Sequence, residues 1–508
     1  MSEDFEEKLI IDKQRIKNSV RYQLPIEITT YTMPRNMELY IQEVVRLFLT
    51  ECHQEHMAES LVFCTGELLV NAKKANTKRV YFKEKGLNID NPSDYVKGME
   101  TFKDDTIKDI KHYLELQKKA GLYVKIVLRL KGEQIFLEIR NNSKLTVFEE
   151  QRIKNKLNNA QQYRKMEDFF SNVLDQSEGA GLGIIIIVLM FQKIGLTKDN
   201  YQVYIDGNET VTRIVLPCNA KIFSGSEILT YEFVKMQEAV PLRESKYKEI
   251  KKIIAEPHLD RQKFLEAAYT DPTVLLLFLK QTLNKNPDEI CLEKLIPQFS
   301  DEQIKALFDE NLIGDESLVN DEENTHKKSI YLVKDDEQKT KLWNHAQNAA
   351  QFAYNIMKNF PQMQKMANPQ QIYSLTLLNS LGEILLACSS KAQVEYSTEL
   401  CQHFEETEKM IDIFYSGNAC PSITMLYLKK IGLKDTFAGV TRCWNNLDYA
   451  SKKNEDSACV IYLAEMLQFF DENVVEFYQL DKKILEKFNI FDHSQFVELL
   501  KNLKSVLN

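Results

Sequence analysis

Glycine and proline are scarce in this chain of 508 residues, at 16 and 12. That scarcity excludes long disordered linkers and low-complexity tracts, which are rich in those residues. Cysteine occurs nine times, an odd number, and never as a CxxC pair. The thiols are expected to be reduced, as in a cytosolic protein. Long hydrophobic runs are missing too. The longest, IIIIVLMF at residues 184–191, is far short of the ~20 residues a membrane-spanning helix needs. It reads as a buried helix. The opening MSEDFEEKLIIDKQRIKN is charged throughout, unlike a secretory signal. Positive charge is not in excess: the net charge is −9, which argues against broad attraction to nucleic acid or an anionic membrane. A cytoplasmic protein without nucleic-acid or membrane partners is expected.

What is present is the composition of an ordinary soluble protein, 44% hydrophobic and 27% charged. The length exceeds what one hydrophobic core usually serves, so two or three domains are expected. In the first part, YVKIVLRL (123–130) and QIFLEIR (134–140) have strand composition around a KGE turn. YQVYID (201–206) and TVTRIVLP (210–217) form a second pair around Gly207 and Asn208. Helical periodicity suits MELYIQEVVRLFLTECHQEH, and a charged stretch at about 83–120 reads as a helical insertion. The alternation predicts an α/β sandwich, a mixed sheet covered by helices. Beyond Pro217 the texture changes to almost continuous helix with polar breaks, one of them Asp271–Pro272. The class is therefore α+β. The expected organisation is an N-terminal domain over 1–222, a helical linker over 223–255 and an all-helical domain over 256–508.

Three stretches carry chemistry. In GELLVNAKKAN (66–76), Glu67, Asn71 and Lys74 fall on one face of a helix. They are a carboxylate, a neutral oxygen donor and a cation, suited to a metal–phosphate group or to a plain polar surface. In EGAGLG (178–183), Gly179, Gly181 and Gly183, with Leu182 between the last two, precede the apolar run. Glycine lets backbone approach a phosphate, and the following helix directs its positive end there. In LEIRNNSKL (137–145) a strand ends in Asn141, Asn142 and Ser143.

Taken in order, these pieces resemble the GHKL superfamily, which takes in the ATP-binding domains of histidine kinases, anti-sigma-factor serine kinases, gyrase and MutL-type ATPases. The likeness covers residues 30–217. Glu67, Asn71 and Lys74 match that family's E-x-x-x-N-A-x-K box, GAGLG its second glycine box, and TVTRIVLP its closing strand. The resemblance implies ATP and Mg²⁺ as cofactors. Asn71 would hold the metal, Lys74 a phosphate, and Glu67 would serve as the base activating water. Gly179, Gly181, Leu182 and Gly183 would border the triphosphate. The segment 144–177 would be a lid, whose Arg152, Lys154, Lys156, Arg164 and Lys165 read more simply as a solvated helix face. Asn141 stands where the family has the adenine-reading Asp of Asp-x-Gly-x-Gly, and Ser143 replaces a glycine. An amide can still accept from the adenine amino group, without the strength a charge confers. His53 and His56 lack the setting of a phospho-accepting histidine and read as surface or packed residues.

In the second half, KLWNHAQNAAQFAYNIM (341–357), IYSLTLLNSLGEILLAC (372–388) and ACVIYLAEMLQ (458–468) resemble the HDOD domain, a helical relative of HD phosphohydrolases. Of the family's metal ligands only His345 persists. Asn379 and Ser380 replace the His-Asp pair, Glu465 the late acid, and CWNN (443–446) stands near where paired histidines often occur. Hydrolysis by this half is not expected, and a surface for a protein partner is. The combined reading is an ATP-binding signalling protein, of ATPase or protein-serine-kinase type, regulating an inactive HDOD-like interaction domain; a homodimer is one arrangement it allows. The alternatives are a non-enzymatic adaptor and a metal-dependent phosphohydrolase.

Overall fold

The computed structural model describes residues 9–160, 187–188, 190–192, 194–218, 220–283, 289–309, 312–313, 330–365, 367–389, 391–401, 407–443, 447 and 452–506. The chain divides into two compact units, Met1–Ala220 and Lys221–Asn508. The class is α+β, with a sheet in the first unit and a mainly helical second unit.

In the first unit, β1 (Ile26–Thr30), β2 (Val124–Lys131), β3 (Gln134–Asn141), β4 (Tyr201–Asp206) and β5 (Glu209–Pro217) form one sheet in the order β1-β2-β3-β5-β4. Every pairing is antiparallel, so the sheet is not mixed as expected. The reason lies in the connections. Two tight hairpins supply β2–β3 and β4–β5, and the long excursion after β3 brings β5 back against it in the opposite direction. Both hairpins turn on a glycine in the left-handed region, Gly132 at φ 57° and Gly207 at φ 59°. That conformation matches the twist of the strands and excludes most side chains.

Alternation sets the faces of the sheet. Val124, Ile126, Leu128 and Leu130 of β2 and Ile135, Leu137 and Ile139 of β3 are buried. The helices of this unit are α1 (Lys13–Arg21), α2 (Arg35–Glu51), α3 (Glu55–Glu84), α4 (Pro92–Lys108), α5 (Ile110–Lys119) and α6 (Val147–Ala160). Along α3, Leu61, Thr65, Leu68, Leu69, Ala72, Asn76 and Val80 are buried, one stripe at helical spacing. Each buried leucine contributes about 2 kcal/mol. The insertion, α4 and α5, has an aromatic core of its own: Tyr81, Phe82 and Tyr113 are packed by Tyr95 and Phe102. Within the run at 184–191, Ile187, Val188 and Phe191 are helical and buried, as the reading of that run anticipated.

The second unit contains α7 (Ala220–Met236), β6 (Val240–Arg243), α8 (Glu244–Ile254), α9 (Pro272–Thr282), β7 (Leu312–Ile313), β8 (Ile330–Val333), α10 (Glu337–Asn359), α11 (Pro369–Asn379), α12 (Leu381–Ala387), α13 (Cys420–Lys430) and α14 (Glu455–Asp471), among other helices. It is not wholly helical: β6, β8 and β7 make a small parallel sheet. Strands of two to four residues are too short to show alternation in sequence. Residues 223–255, expected as a linker, supply α7, β6 and α8 to this unit. The Asp271–Pro272 break is a helix start, where Asp271 accepts from the backbone N–H of Thr273 and Val274 and caps α9. No helix among the described residues is long and apolar enough to cross a membrane.

Helices α12 and α13 approach closely at Gly382, where an added Cβ would lie 2.2 Å from the carbonyl oxygen of Cys420. The Gly382 N–H donates to Thr424 Oγ1 at 2.9 Å on the same neighbour. Gly382→Ala is expected to destabilise by about 2 kcal/mol, the usual scale of overpacking; denaturant midpoints for the two proteins check it.

Candidate functional site

Helix α3 presents two polar arrays on different faces. The first is the predicted stripe. Glu67 is half-buried, Asn71 and Lys74 are exposed, and none of the three hydrogen-bonds or ion-pairs with another described residue. One turn further along the same stripe, Lys78 meets Glu149 of α6 at 3.4 Å. The neighbouring Arg79 grips that carboxylate with both arms, at 3.1 and 2.6 Å. Thr146, at the start of α6, exchanges two further bonds with Glu149: its N–H donates to the carboxylate and its hydroxyl accepts from the Glu149 N–H, both at 3.2 Å. This capping box fixes the first turn of α6 beside the stripe. Phe148 adds to it by stacking on Tyr95 of α4, with ring centroids 5.2 Å apart.

The second array lies inside. Asn141 does not hydrogen-bond to Asn71; it faces α3 from the end of β3, opposite Thr210 of β5, and is 5% exposed. Its amide donates to Ser143 Oγ at 2.5 Å and to Asn76 Oδ1 at 3.4 Å. The Ser143 hydroxyl donates to the same Asn76 oxygen at 3.0 Å, while Asn76 Nδ2 donates to the Tyr123 carbonyl at 3.0 Å. Thr210 Oγ1 donates to the Ser143 carbonyl at 2.7 Å. Both hydrogens of the Asn141 amide are thus engaged, and its oxygen is left as the acceptor it can offer. Asn142 points elsewhere, accepting from the Tyr123 N–H at 2.8 Å. Beside this array a small cavity is lined by Thr30, Tyr31, Lys73, Asn76 and Gln117.

Of the remaining predicted residues, Gly179, Gly181, Leu182 and Gly183, with Arg164 and Lys165, lie outside the described residues, as does most of CWNN. Lys154 is exposed and pairs with Glu150 at 2.6 Å in the i, i+4 geometry of a solvated helix. Sequence reasoning passed over Asn76, an amide on an otherwise apolar stripe, and Glu149, which the Thr-x-x-Glu spacing at 146–149 signals.

The second unit does gather its predicted residues. His345 of α10, Asn379 of α11 and Glu465 of α14 meet in the interior. His345 Nε2 lies 2.8 Å from Glu465 Oε2 and Nδ1 lies 3.0 Å from Glu472 Oε1. Asn379 Nδ2 donates to the other Glu465 oxygen at 2.8 Å. Glu472 is i+7 from Glu465 and so shares its helix face; that spacing was the available signal for it. Burial by itself would strip the proton from His345, but the hydrogen bonds and charges of Glu465 and Glu472 outweigh it and lift the imidazole to about 10. Ser380 is buried nearby in sequence. No group of three or more His, Cys, Asp or Glu arranged to hold a metal ion is found among the described residues.

Two stability predictions follow from these charges. Burial pushes Glu149 up, but the hydrogen bonds and charge of Arg79, with the charge of Lys78, hold it at about 2. A depressed carboxylate stabilises above its unfolded value and ceases to as pH falls toward its folded one. Stability should therefore drop by roughly 3 kcal/mol between about pH 5 and pH 2 through this group, and Glu149→Gln should remove that share of the slope in acid denaturation. The raised imidazole works in the other sense: its contribution is complete below about pH 6.5 and is lost as pH climbs toward its folded value. His345→Ala should cost roughly 3–5 kcal/mol, because Glu465 would be left buried and unpaired, as unfolding at neutral pH will show.

No family model matches the chain. A solved structure described as "Putative phosphohydrolase", from Shewanella amazonensis SB2B, aligns with 12% identity and a TM-score of 0.25. It covers 56% of this chain and 94% of its own, and a likeness so low carries no structural argument. An "Uncharacterized protein" of Treponema pallidum (strain Nichols) is 30% identical over 500 residues, spanning 98% of this chain and 94% of that protein. Identity sustained along both units in one order marks common descent of the whole arrangement, and the chain belongs to the family of that Treponema pallidum protein.

Proposed function

We propose that the first unit is a GHKL-type nucleotide site that takes ATP with Mg²⁺ and that the second is an HDOD-like protein-interaction half without hydrolase chemistry. The observation that carries the reading is the stripe on α3. Glu67, Asn71 and Lys74 offer a carboxylate, an amide oxygen and an ammonium with no described hydrogen-bonding partner, on the flank where α6 is clamped. Mg²⁺ suits such a set, because it takes few protein oxygens and keeps waters and phosphate oxygens. When bound, the ion neutralises phosphate charge. Asn71 is the residue that would hold it, and Lys74 would meet a phosphate as a point charge. Glu67 can also accept a proton from water or a protein hydroxyl, which makes the activity ATP hydrolysis or transfer to a protein serine. Asn141 would offer its acceptor oxygen to a base amino group, and the family resemblance assigns Gly179, Gly181, Leu182 and Gly183, outside the described residues, to the same site. Bound nucleotide then regulates how the helical half meets a signalling partner.

In the second unit, both imidazole nitrogens of His345 face carboxylates. A metal ligand needs one of them bare, which supports an interaction role. The adaptor reading draws on one observation as well: the Asn141 amide already bonds to Ser143 and Asn76, so base recognition there is weaker than a free carboxylate would give.

Titration with a fluorescent ATP analogue in the presence of Mg²⁺ is expected to give saturable binding that Asn71→Ala weakens at least tenfold. Binding indifferent to that change, or none at all, would leave the adaptor reading standing.

A further inference from the structure

The carboxylate of Glu149 sits among donors suited to a phosphate. It is met by the planar fork of Arg79, the ammonium of Lys78 and the backbone N–H of Thr146 at the start of α6. A guanidinium fork, a point cation and a helix N-terminus are the three devices by which proteins hold oxyanions. All three side chains are largely buried: Glu149 is 10% exposed, Lys78 12% and Arg79 16%. Lys78 continues the stripe that carries Asn71 and Lys74, so the cradle adjoins the nucleotide site rather than lying apart from it. A capping box requires only the exchange between Thr146 and Glu149. It does not require two cations from another helix, brought from about 70 residues away in the chain.

We propose that Lys78, Arg79 and the Thr146 N–H form an oxyanion site for a phosphate group, and that Glu149 is its internal occupant, an autoinhibitory carboxylate that phosphate must displace. This deepens the nucleotide reading and rests on it for the source of the phosphate, the triphosphate tail of a bound nucleotide. Displacement removes the ties of Glu149 to α3 and leaves the Arg79 bond to the Lys144 carbonyl, so occupancy of the site changes how the first turn of α6 is held. No covalent step is involved. One anion replaces another on the same donors, and Glu149 turns to solvent.

The probe is inorganic pyrophosphate without metal, titrated calorimetrically into the full chain. Glu149→Gln keeps an oxygen for the Thr146 N–H while removing the charge, and Glu149→Ala removes the occupant altogether. Both are expected to bind pyrophosphate at least tenfold more tightly than the unaltered protein, and Arg79→Ala combined with Glu149→Gln is expected to lose that gain. Circular dichroism and thermal denaturation establish that each variant is folded. If folded Glu149→Gln gains nothing, or if the gain survives loss of Arg79, the inference is overturned. An unaltered protein that binds the ATP analogue through Asn71 while Glu149→Gln shows no gain would remove this inference and leave the nucleotide reading. A gain in pyrophosphate binding without any binding of the analogue would do the reverse.

Discussion

Thirty residues of unbroken helix, Glu55–Glu84, have to satisfy three neighbours at once, and the first unit is organised by that constraint. One stripe, from Leu61 through Ala72 to Val80, is apolar enough to seat the helix on the sheet. A second holds Glu67, Asn71 and Lys74 away from that contact. The last turns supply Lys78 and Arg79 to α6, and Tyr81 and Phe82 to the insertion. A helix rotated by one residue would bury the polar stripe and expose the leucines, so the rotation is set by burial of apolar surface. Once it is set, the direction of every other side chain on α3 follows.

The amide network at the sheet end shows how buried polarity is paid for. Asn76, Asn141, Ser143 and Thr210 each lie at or below 8% exposure, where an unpaired donor or acceptor is costly. They answer one another and the backbone of Tyr123 and Ser143. A network of this kind holds a position more sharply than apolar packing, because a small displacement breaks several bonds together. It places β3 against α3 in one register. It also explains why Asn141 and Ser143 stand where β3 ends.

The second unit solves a harder problem, ionised groups in its core. Glu465 is 2% exposed and would be strongly destabilising alone. His345 bridges it to Glu472, and Asn379 meets its second oxygen. The cation that balances these carboxylates belongs to the chain itself. The arrangement is internally satisfied along the imidazole, and its chemistry is that of an ion pair joining α10, α11 and α14.

Much of this was legible in the sequence. Strand alternation, hairpin glycines and the spacing of Glu67, Asn71 and Lys74 are local properties, expressed by a chain whatever lies around it, and they determined the elements and the polar stripe. The resemblance to the HDOD domain singled out His345 and Glu465, whereas their 2.8 Å contact could not be read from the sequence. What only tertiary structure decided was direction and partnership. The sheet is antiparallel because of how a long excursion returns. Three strands in the second unit are too short to announce themselves. Asn141 meets Asn76 rather than Asn71, and Glu149 finds cations about 70 residues earlier. Such choices depend on which surfaces are brought together once water is excluded, and no periodicity within one segment records that.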